Sequence, residues 1–267
     1  MARLDFRKHR PWLHGQFHSR VHGTRRHRPR TGTRCNSHSA PSRPPPIGQF
    51  VVTVSHRQFH LDTRPSGSGC DAGFEALRCR GEQRPDTRGV RRIIRLSRIK
   101  LKRSTIVDPL SGEYRVIEDR SSSGTFFALN ENEFISRLDR RISEVVNWPA
   151  ENGEGLQILN YQIGGEYKAH FDYFPPDDPG SQPHLNNGGQ RVSTLVVYLN
   201  DVNDGGETVF PRINLSVCPR KGSAVYFEYC NATGEVDPMT LHGGAPVRAG
   251  EKWIATKWMR QSRYGGN

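Results

Sequence analysis

The sequence predicts a mostly β fold, an antiparallel sandwich or jelly roll preceded by supporting helices. After residue 155 the chain is built of short runs rich in Val, Ile, Tyr, Phe and Thr: LQILNYQ, EYKAHFDYF, RVSTLVVYLN, ETVFP, SAVYFEYC and KWIATKWMR. Turn signals such as PPDDPG, NNGG and DGG separate these runs. Many short strands with Gly and Pro between them are typical of antiparallel sandwiches and jelly rolls.

A helical lead-in is predicted over residues 91–150. Its clearest helix carries apolar residues at spacings of three to four, which indicates one buried face; these are Phe134, Ile135, Leu138, Ile142, Val145 and Val146. Asn130 with Glu133 three residues later resembles a capping box and predicts the start of this helix. The stretch RRIIRLSRIKL (91–101) fits a buried helix face more loosely.

The excess of positive charge in the chain lies in its first third. Residues 1–92 hold 18 Arg and 1 Lys against 6 acidic residues, a net charge of +13, so the rest of the +12 chain has a net charge of −1. Residues 1–90 lack a sustained apolar period, and we expect a basic low-complexity segment that is disordered or aberrant, ahead of one domain over residues 91–267. A nucleic-acid-binding arm and the out-of-frame translation of a GC-rich region both remain open for this segment.

Cysteine usage favours a cytoplasmic protein. The five cysteines are odd in number and form no C-x-x-C pair, which indicates reduced thiols rather than a disulfide framework. The N-terminus is basic but has no apolar segment of the kind found in signal peptides, and no run has the length of a membrane span.

A metal site is predicted within the jelly-roll core, residues 155–262. His170 and Asp172 in YKAHFDYF are two positions apart, so they would share one face of a strand, either as ligands or as a solvated pair. His242 in TLHGGAPV lies on a later strand of the same core. Two imidazoles and one carboxylate form the facial triad of non-haem Fe(II) oxygenases. His184, in a loop rich in Pro, Asp, Asn and Gly, is expected to be a solvated residue.

Lys252 in GEKWIATKW lies between apolar strand residues. Burial of an ammonium group without a partner is costly. The side chain is therefore expected either to face solvent or to pair with a carboxylate of a bound ligand.

These residues carry a resemblance to a known family. Residues 93–264 resemble the prolyl 4-hydroxylase branch of the Fe(II)/2-oxoglutarate dioxygenases, especially its free-standing bacterial members. The matching segments occur in the family's order: YQIGGEYKAHFDYF, GGQRVSTLVVYLNDVNDGGETVFP, PRKGSAVYF and LHGGAPVRAGEKWIATKW. The resemblance implies a double-stranded β-helix that hydroxylates a peptidyl proline with 2-oxoglutarate and O2, giving succinate and CO2, with ascorbate as reductant.

The resemblance also implies roles for individual residues. His170, Asp172 and His242 would bind Fe(II), and no further catalytic residue would be needed. Lys252, Tyr161 and Thr208 would bind 2-oxoglutarate, Lys252 through its distal carboxylate. The substrate side would be lined by Arg191, Trp258, Arg120 and Ser122, the last two in the loop DRSSSGTFF. Tyr161 as a core residue, Trp258 as packing alone and Arg191 in a surface ion pair remain open.

Other functions also remain open. The substrate could be another protein side chain or a free amino acid, and the chain could be a non-catalytic jelly roll with a nucleic-acid-binding tail. A metal-binding jelly roll that does not use 2-oxoglutarate is a further alternative, against which Tyr161 and Lys252 speak. A nucleic-acid substrate is disfavoured because the predicted domain is near neutral and has Lys where the nucleic-acid demethylases typically use Arg. The expected partner is a peptide or protein, with no membrane; the oligomeric state is not predicted.

Overall fold

The computed structural model describes residues 88–231 and 234–265, together with the backbone of residues 52–55. Most of the predicted basic segment lies outside these ranges. Within that segment, β1 (Val52–Ser55) pairs antiparallel with strand Ala224–Glu228, and helix α1 begins at Arg88. The division of the chain at residue 90 stays a prediction.

The described residues form fifteen strands. After β1 they are β2 (Lys102–Arg103), β3 (Ile106–Val107), β4 (Tyr114–Arg115), β5 (Ser123–Phe127), β6 (Leu156–Tyr161), β7 (Tyr167–His170), β8 (Arg191–Tyr198), β9 (Asp204–Gly205), β10 (Thr208–Phe210), β11 (Leu215–Val217), β12 (Ala224–Glu228), β13 (His242–Gly244), β14 (Val247–Ala249) and β15 (Lys252–Arg260). Most of them begin after residue 155, as the strand-like runs predicted.

Two antiparallel sheets form the body of the fold. The larger sheet has the order β1-β12-β8-β15-β6-β5-β2, and the smaller has the order β11-β10-β13-β7. β9 with β14 and β3 with β4 form short two-stranded ribbons. Sequence neighbours are often not sheet neighbours, because the chain crosses between the two sheets. The predicted jelly roll is confirmed.

The two faces of the larger sheet build two different cores. Side chains alternate along a strand, so Trp253, Ala255 and Met259 of β15 face one side and Ile254 faces the other. The first side packs against helices α1 (Arg88–Arg98) and α2 (Glu133–Val146). The second side packs between the sheets, where Phe210 and Val217 of the smaller sheet meet it. Every residue of β15 is buried as a result.

Helix α1 spans Arg88–Arg98 and helix α2 spans Glu133–Val146. The predicted apolar face of α2 is confirmed, because Phe134, Ile135, Leu138, Ile142 and Val146 are buried. The predicted cap is wrong: Asn132, not Asn130, accepts hydrogen bonds from the backbone of the first turn. Asn130 has a left-handed backbone, with φ +58, and its N–H donates to Asp139.

Among the described residues, the remaining helices are short. They are α3 (Gln182–Leu185) and three turns of 3-10 helix at Ala150–Asn152, Pro179–Ser181 and Pro238–Thr240. In the part of the chain that the structure describes, none of the helices has the length and apolar character that crossing a bilayer requires.

Candidate metal centre and cosubstrate pocket

The pairing of β7 with β13 brings two histidines together. His170 and His242 are direct partners in the register, and their ring centroids are 4.4 Å apart. Asp172 lies two residues beyond the end of β7. Its Oδ1 is 3.7 Å from His170 Nε2, and its Oδ2 is 3.5 Å from His242 Nε2. One ligand atom from each residue lies within 4.8 Å of the others, so the three side chains could hold one metal ion.

The tautomers of both histidines suit metal binding. His170 Nδ1 is 2.8 Å from the Lys168 carbonyl, and His242 Nδ1 is 3.0 Å from the Thr240 carbonyl. A carbonyl oxygen can only accept, so each Nδ1 carries a proton, and Nε2, on the Asp172 side, is the nitrogen that can bind a metal. Two imidazole nitrogens and a carboxylate fit Fe(II), a divalent ion of intermediate hardness.

The protonation states agree with this arrangement. Burial and the nearby His242 lower the pKa of His170 to about 3. Burial alone would raise the pKa of Asp172, but His242 and His170 lower it to about 2. At neutral pH the imidazole of His170 is therefore neutral and the carboxyl of Asp172 is ionised, which are their ligand forms.

The Asp172 carboxylate is also held from the larger sheet. Thr194 Oγ1 on β8 donates to Asp172 Oδ2 at 2.7 Å, and the hydroxyl of Tyr229, just after β12, is 3.0 Å from Thr194 Oγ1. Arg191 donates to the backbone carbonyl of Asp172 at 3.2 Å. No sequence motif marks Thr194 or Tyr229, because Thr194 meets Asp172 across the two sheets and Tyr229 meets Thr194 across neighbouring strands.

Lys252 is the first residue of β15 and is 2% exposed. It is paired with Tyr161 of β6, and its Nζ is 5.4 Å from the centroid of that ring and 5.9 Å from the Tyr198 ring. Burial lowers the pKa of Lys252 to about 8, partly offset by the charge of Glu207. Among residues 88–231 and 234–265 no carboxylate lies within salt-bridge distance of this ammonium group. The side chain does not face solvent, and an anionic ligand would complete its environment.

Hydroxyl groups surround this pocket. Tyr198 donates to Thr208 Oγ1 at 2.6 Å, and both residues are buried. Burial raises the pKa of Tyr161 above its usual value, so its hydroxyl stays protonated and can donate. The structure therefore brings together the three predicted cosubstrate residues, Lys252, Tyr161 and Thr208, in buried positions. Tyr198 also belongs to this pocket. The sequence did not indicate it, because it is an ordinary member of the apolar run TLVVYL.

Arg191 and Trp258 lie together, with Arg191 in contact with the backbone of Asp172. The Arg191 guanidinium is 4.0 Å from the Trp258 ring centroid and donates to both oxygens of Glu154, at 2.6 and 2.9 Å. Arg260 also donates to Glu154, at 2.7 Å. The Arg191 ion pair is buried rather than at the surface. Trp258 Nε1 is buried and has no hydrogen-bond partner within the described ranges.

Arg120 lies above the ring that covers His170. Its guanidinium is 4.7 Å from the Tyr167 ring centroid, and Tyr167 stacks on His170 at 3.6 Å. It donates to the Thr105 carbonyl and to Gln157, but Nε is buried without a partner among the described residues. Ser122 is fully buried and donates to Ser104 at 2.9 Å, so its side chain holds the loop. Its contact with a substrate stays a prediction.

The expectation for His184 is wrong. This histidine lies in α3 and is half-buried. Its ring stacks on Phe174 at 5.1 Å with an interplanar angle of 4°, and its Nε2 is 2.9 Å from the Gly112 carbonyl. It ties the turn between β3 and β4 to residues 174–184 instead of facing water.

Comparison with known proteins places these residues in a family context. Residues 156–260 match the model of the 2OG-Fe(II) oxygenase superfamily. This range contains the His170, Asp172 and His242 cluster as well as Lys252 and Tyr161. A solved structure of viral collagen prolyl hydroxylase from Paramecium Bursaria Chlorella virus-1, in a 2OG complex, has a TM-score of 0.51 and 30% identity, over 66% of this chain and 91% of that chain.

Curated relatives share more sequence. Prolyl 4-hydroxylase 5 of Arabidopsis thaliana is 40% identical over 191 residues, which are 64% of this chain and 64% of that protein. Prolyl 4-hydroxylase subunit alpha-1 of Homo sapiens is 37% identical over 166 residues, which are 62% of this chain and 31% of that protein. The chain thus spans less than two thirds of the length of the curated relatives that it matches.

Proposed function

Because the chain belongs to the 2OG-Fe(II) oxygenase superfamily, we propose that it hydroxylates prolines in a peptide or protein, using Fe(II), 2-oxoglutarate and O2. The observation that carries this proposal is the cluster of His170, Asp172 and His242, together with the buried ammonium group of Lys252, which has no carboxylate in salt-bridge range among the described residues. Relatives named prolyl 4-hydroxylase at about 40% identity support the choice of proline.

The three ligand residues would bind iron on one side only. Two imidazole nitrogens and one carboxylate oxygen leave three of about six coordination positions open. Bound iron, 2-oxoglutarate and O2 together supply the oxidising power to hydroxylate an unactivated C–H bond, with succinate and CO2 as coproducts. The ionised Asp172 balances part of the metal charge. Ascorbate would serve as reductant for the metal between turnovers.

The cosubstrate would be held by its distal carboxylate. Lys252 supplies the charge, while Thr208 and Tyr161 supply hydroxyl groups. Lys252 is buried with aromatic rings at 5.4 and 5.9 Å, so an ion pair formed there is shielded from water and strong. The binding of a carboxylate would also stabilise the ammonium form, because a nearby negative charge raises the pKa of a lysine.

The substrate would lie over Tyr167, between Arg120 and Trp258. Trp258 Nε1 and Arg120 Nε are buried donors that lack partners among the described residues. A proline-rich chain in the polyproline II conformation has free backbone carbonyls, which could accept from these donors once the two side chains turn toward the bound peptide. Arg191 supports this side by stacking on Trp258.

Two alternatives differ in the target. Hydroxylation of another protein side chain or of a free amino acid would use the same metal and cosubstrate residues.

A cytoplasmic site of action is supported by the cysteine composition, an odd number of thiols with no C-x-x-C pair.

The test is 2-oxoglutarate turnover to succinate by the purified full chain with Fe(II) and ascorbate. A proline-rich peptide is compared with a matched peptide in which alanine replaces each proline, and mass spectrometry records the gain of one oxygen atom. We expect turnover that requires the proline peptide and is lost in His170→Ala. Turnover without peptide oxidation would exclude peptidyl proline as the substrate, and absence of turnover in folded, iron-loaded protein would exclude the dioxygenase.

A further inference from the structure

The two oxygens of the Asp172 carboxylate have different environments. Oδ2 accepts the Thr194 hydroxyl at 2.7 Å. No hydrogen bond from the described residues ends on Oδ1, which lies 3.7 Å from His170 Nε2. Oδ2 is therefore engaged by the protein, although it also lies 3.5 Å from His242 Nε2, whereas Oδ1 accepts no hydrogen bond from the described residues.

The direction of the hydrogen bonds follows from proton count. A threonine hydroxyl has one proton, and a carboxylate oxygen can only accept, so Thr194 donates its proton to Asp172. The contact of 3.0 Å between Thr194 and Tyr229 then requires Tyr229 to be the donor. The result is a chain of hydrogen bonds, Tyr229 to Thr194 to Asp172, in which each bond strengthens the next.

This chain of hydrogen bonds joins the two sheets. Thr194 lies in the middle of β8 and Tyr229 follows β12, so both belong to the larger sheet, whereas Asp172 follows β7 of the smaller one. Thr194 is 0% exposed and Tyr229 is 2% exposed, so water does not compete for these hydroxyl groups. The Tyr229 ring is fixed by Phe227, with centroids 5.8 Å apart.

We propose that Tyr229 and Thr194 act as positioning residues that hold Oδ2 of Asp172 and leave Oδ1 as its single metal-binding oxygen. This proposal rests on the proposed function, because it assigns how one ligand of the iron site is oriented. The hydrogen bond from Thr194 takes up one lone pair of Oδ2 and holds the carboxylate against rotation, so the metal would bind Oδ1 in preference to both oxygens. This chain of hydrogen bonds therefore preserves an open coordination position as well as the affinity for the metal.

The test compares Thr194→Val, Thr194→Ser and Tyr229→Phe with the wild-type chain. Thr194→Val keeps the shape but removes the donor, Thr194→Ser keeps the donor, and Tyr229→Phe removes only the far end of the chain. Two anaerobic measurements are made on each: Fe(II) affinity by competition with a chelator, and the visible charge-transfer band after addition of 2-oxoglutarate. Ser97→Ala is the matched control, because it removes a buried hydroxyl in α1, away from the site.

We expect Thr194→Val to weaken Fe(II) binding about 10- to 100-fold, the usual effect of losing an outer-shell partner of a metal ligand, and to shift the charge-transfer band. Tyr229→Phe should weaken binding by a smaller factor, and Thr194→Ser should keep the wild-type band and affinity. Melting of the apo proteins identifies any variant that fails to fold; if Thr194→Val fails, the Tyr229→Phe and Thr194→Ser pair decides.

The outcomes separate this inference from the proposed function. Equal or tighter Fe(II) binding together with an unshifted band in Thr194→Val would overturn the positioning role of Thr194 and Tyr229 while leaving the iron site intact. If Thr194→Val does not fold, the same result in Tyr229→Phe would overturn it. Weakened binding in Thr194→Ser to the level of Thr194→Val would also overturn it, since the hydroxyl would then be irrelevant. Failure of the folded wild-type chain to bind Fe(II) would overturn both proposals.

Discussion

Lys252 and Tyr161 are direct partners across the β15 and β6 pairing, and the lysine Nζ lies 5.4 Å from the tyrosine ring centroid. A buried ammonium group over an aromatic face, with no carboxylate in salt-bridge range among the described residues, is a site prepared for an anion. Burial of this ammonium group strengthens the binding of an anion and destabilises the folded protein without one. The two effects can be measured separately.

Replacement of Lys252 by Met should weaken 2-oxoglutarate binding by about 100-fold, because truncating one member of a buried charge pair typically costs about 2–5 kcal/mol. The measurement is the KM for 2-oxoglutarate, together with the dissociation constant of a non-reacting dicarboxylate analogue. Lys102→Met, an exposed lysine on β2, is the control and should behave as wild type. A Lys252→Met protein with unchanged affinity would show that the carboxylate is bound elsewhere.

The same lysine should make apo-protein stability depend on pH. Its pKa is about 8 in the folded protein and near 10.5 when unfolded, so between these values the unfolded state binds more protons. Stability therefore rises with pH through this window, by up to about 3 kcal/mol, while below pH 8 the full cost of burying the charge remains. The comparison is urea unfolding of wild type and Lys252→Met at pH 7, 8, 9 and 10.

In that experiment Lys252→Met should be the more stable protein at pH 7, and its advantage should shrink as the pH rises toward 10. An advantage that is independent of pH would mean that the lysine is not desolvated in solution. Parallel titrations of the dicarboxylate analogue should show weaker binding to wild type above pH 8, since the anion binds the protonated lysine.

Glu154 should be more important for stability than any exposed acidic residue. It accepts hydrogen bonds from both Arg191 and Arg260 in a buried position, so Glu154→Gln leaves two guanidinium groups without a counter-charge. We expect a loss of about 3–5 kcal/mol in the free energy of unfolding, the usual effect of breaking a buried pair. Urea unfolding of the variant measures it.

Asp119→Asn is the matched control, because the Asp119 pair with Lys168 is exposed. Its effect should be much smaller, since solvent screens such pairs. Equal effects of the two substitutions would contradict the assignment of Glu154 as the central anion of this cluster.

His184→Ala should loosen the connection between the β3–β4 turn and α3. The substitution removes the stacking on Phe174 and the hydrogen bond with the Gly112 carbonyl, and we expect a loss of about 1–2 kcal/mol. Limited proteolysis should cut residues 108–116 faster in the variant, while Fe(II) affinity stays as in wild type. Met239→Ala, at an exposed site, controls for truncation itself. An unchanged rate of proteolysis would show that this histidine does not hold the β3–β4 turn in place.

The sequence predicted the parts of the site whose chemistry is written locally. His170 and Asp172 lie in one short motif, His242 stands out because histidines are scarce after residue 92, and Lys252 stands out because it interrupts an apolar strand. Each expectation about their proximity is met by the β7–β13 and β15–β6 pairings. Their assignment as ligands stays a prediction until iron binding is measured.

The supporting residues could not be predicted in the same way. Thr194, Tyr198 and Tyr229 are ordinary members of strand-like runs, and their partners come from other strands far along the chain. The predicted cap at Asn130 was wrong because two asparagines lie near the helix start, and only tertiary contact with Asp139 selects a left-handed backbone for the first. His184 was misjudged because loop composition does not reveal which loops pack on each other.

The complete burial of β15 has a consequence for engineering this protein. Lys252 and Trp258 lie six positions apart on β15, an even number, so both fall on the same side of the strand as Ile254 and face the space between the sheets. One inserted or deleted residue between them would turn one of the two toward the helices. Libraries aimed at new substrates should therefore leave β15 unchanged in length and vary residues 108–122 and 174–190 instead.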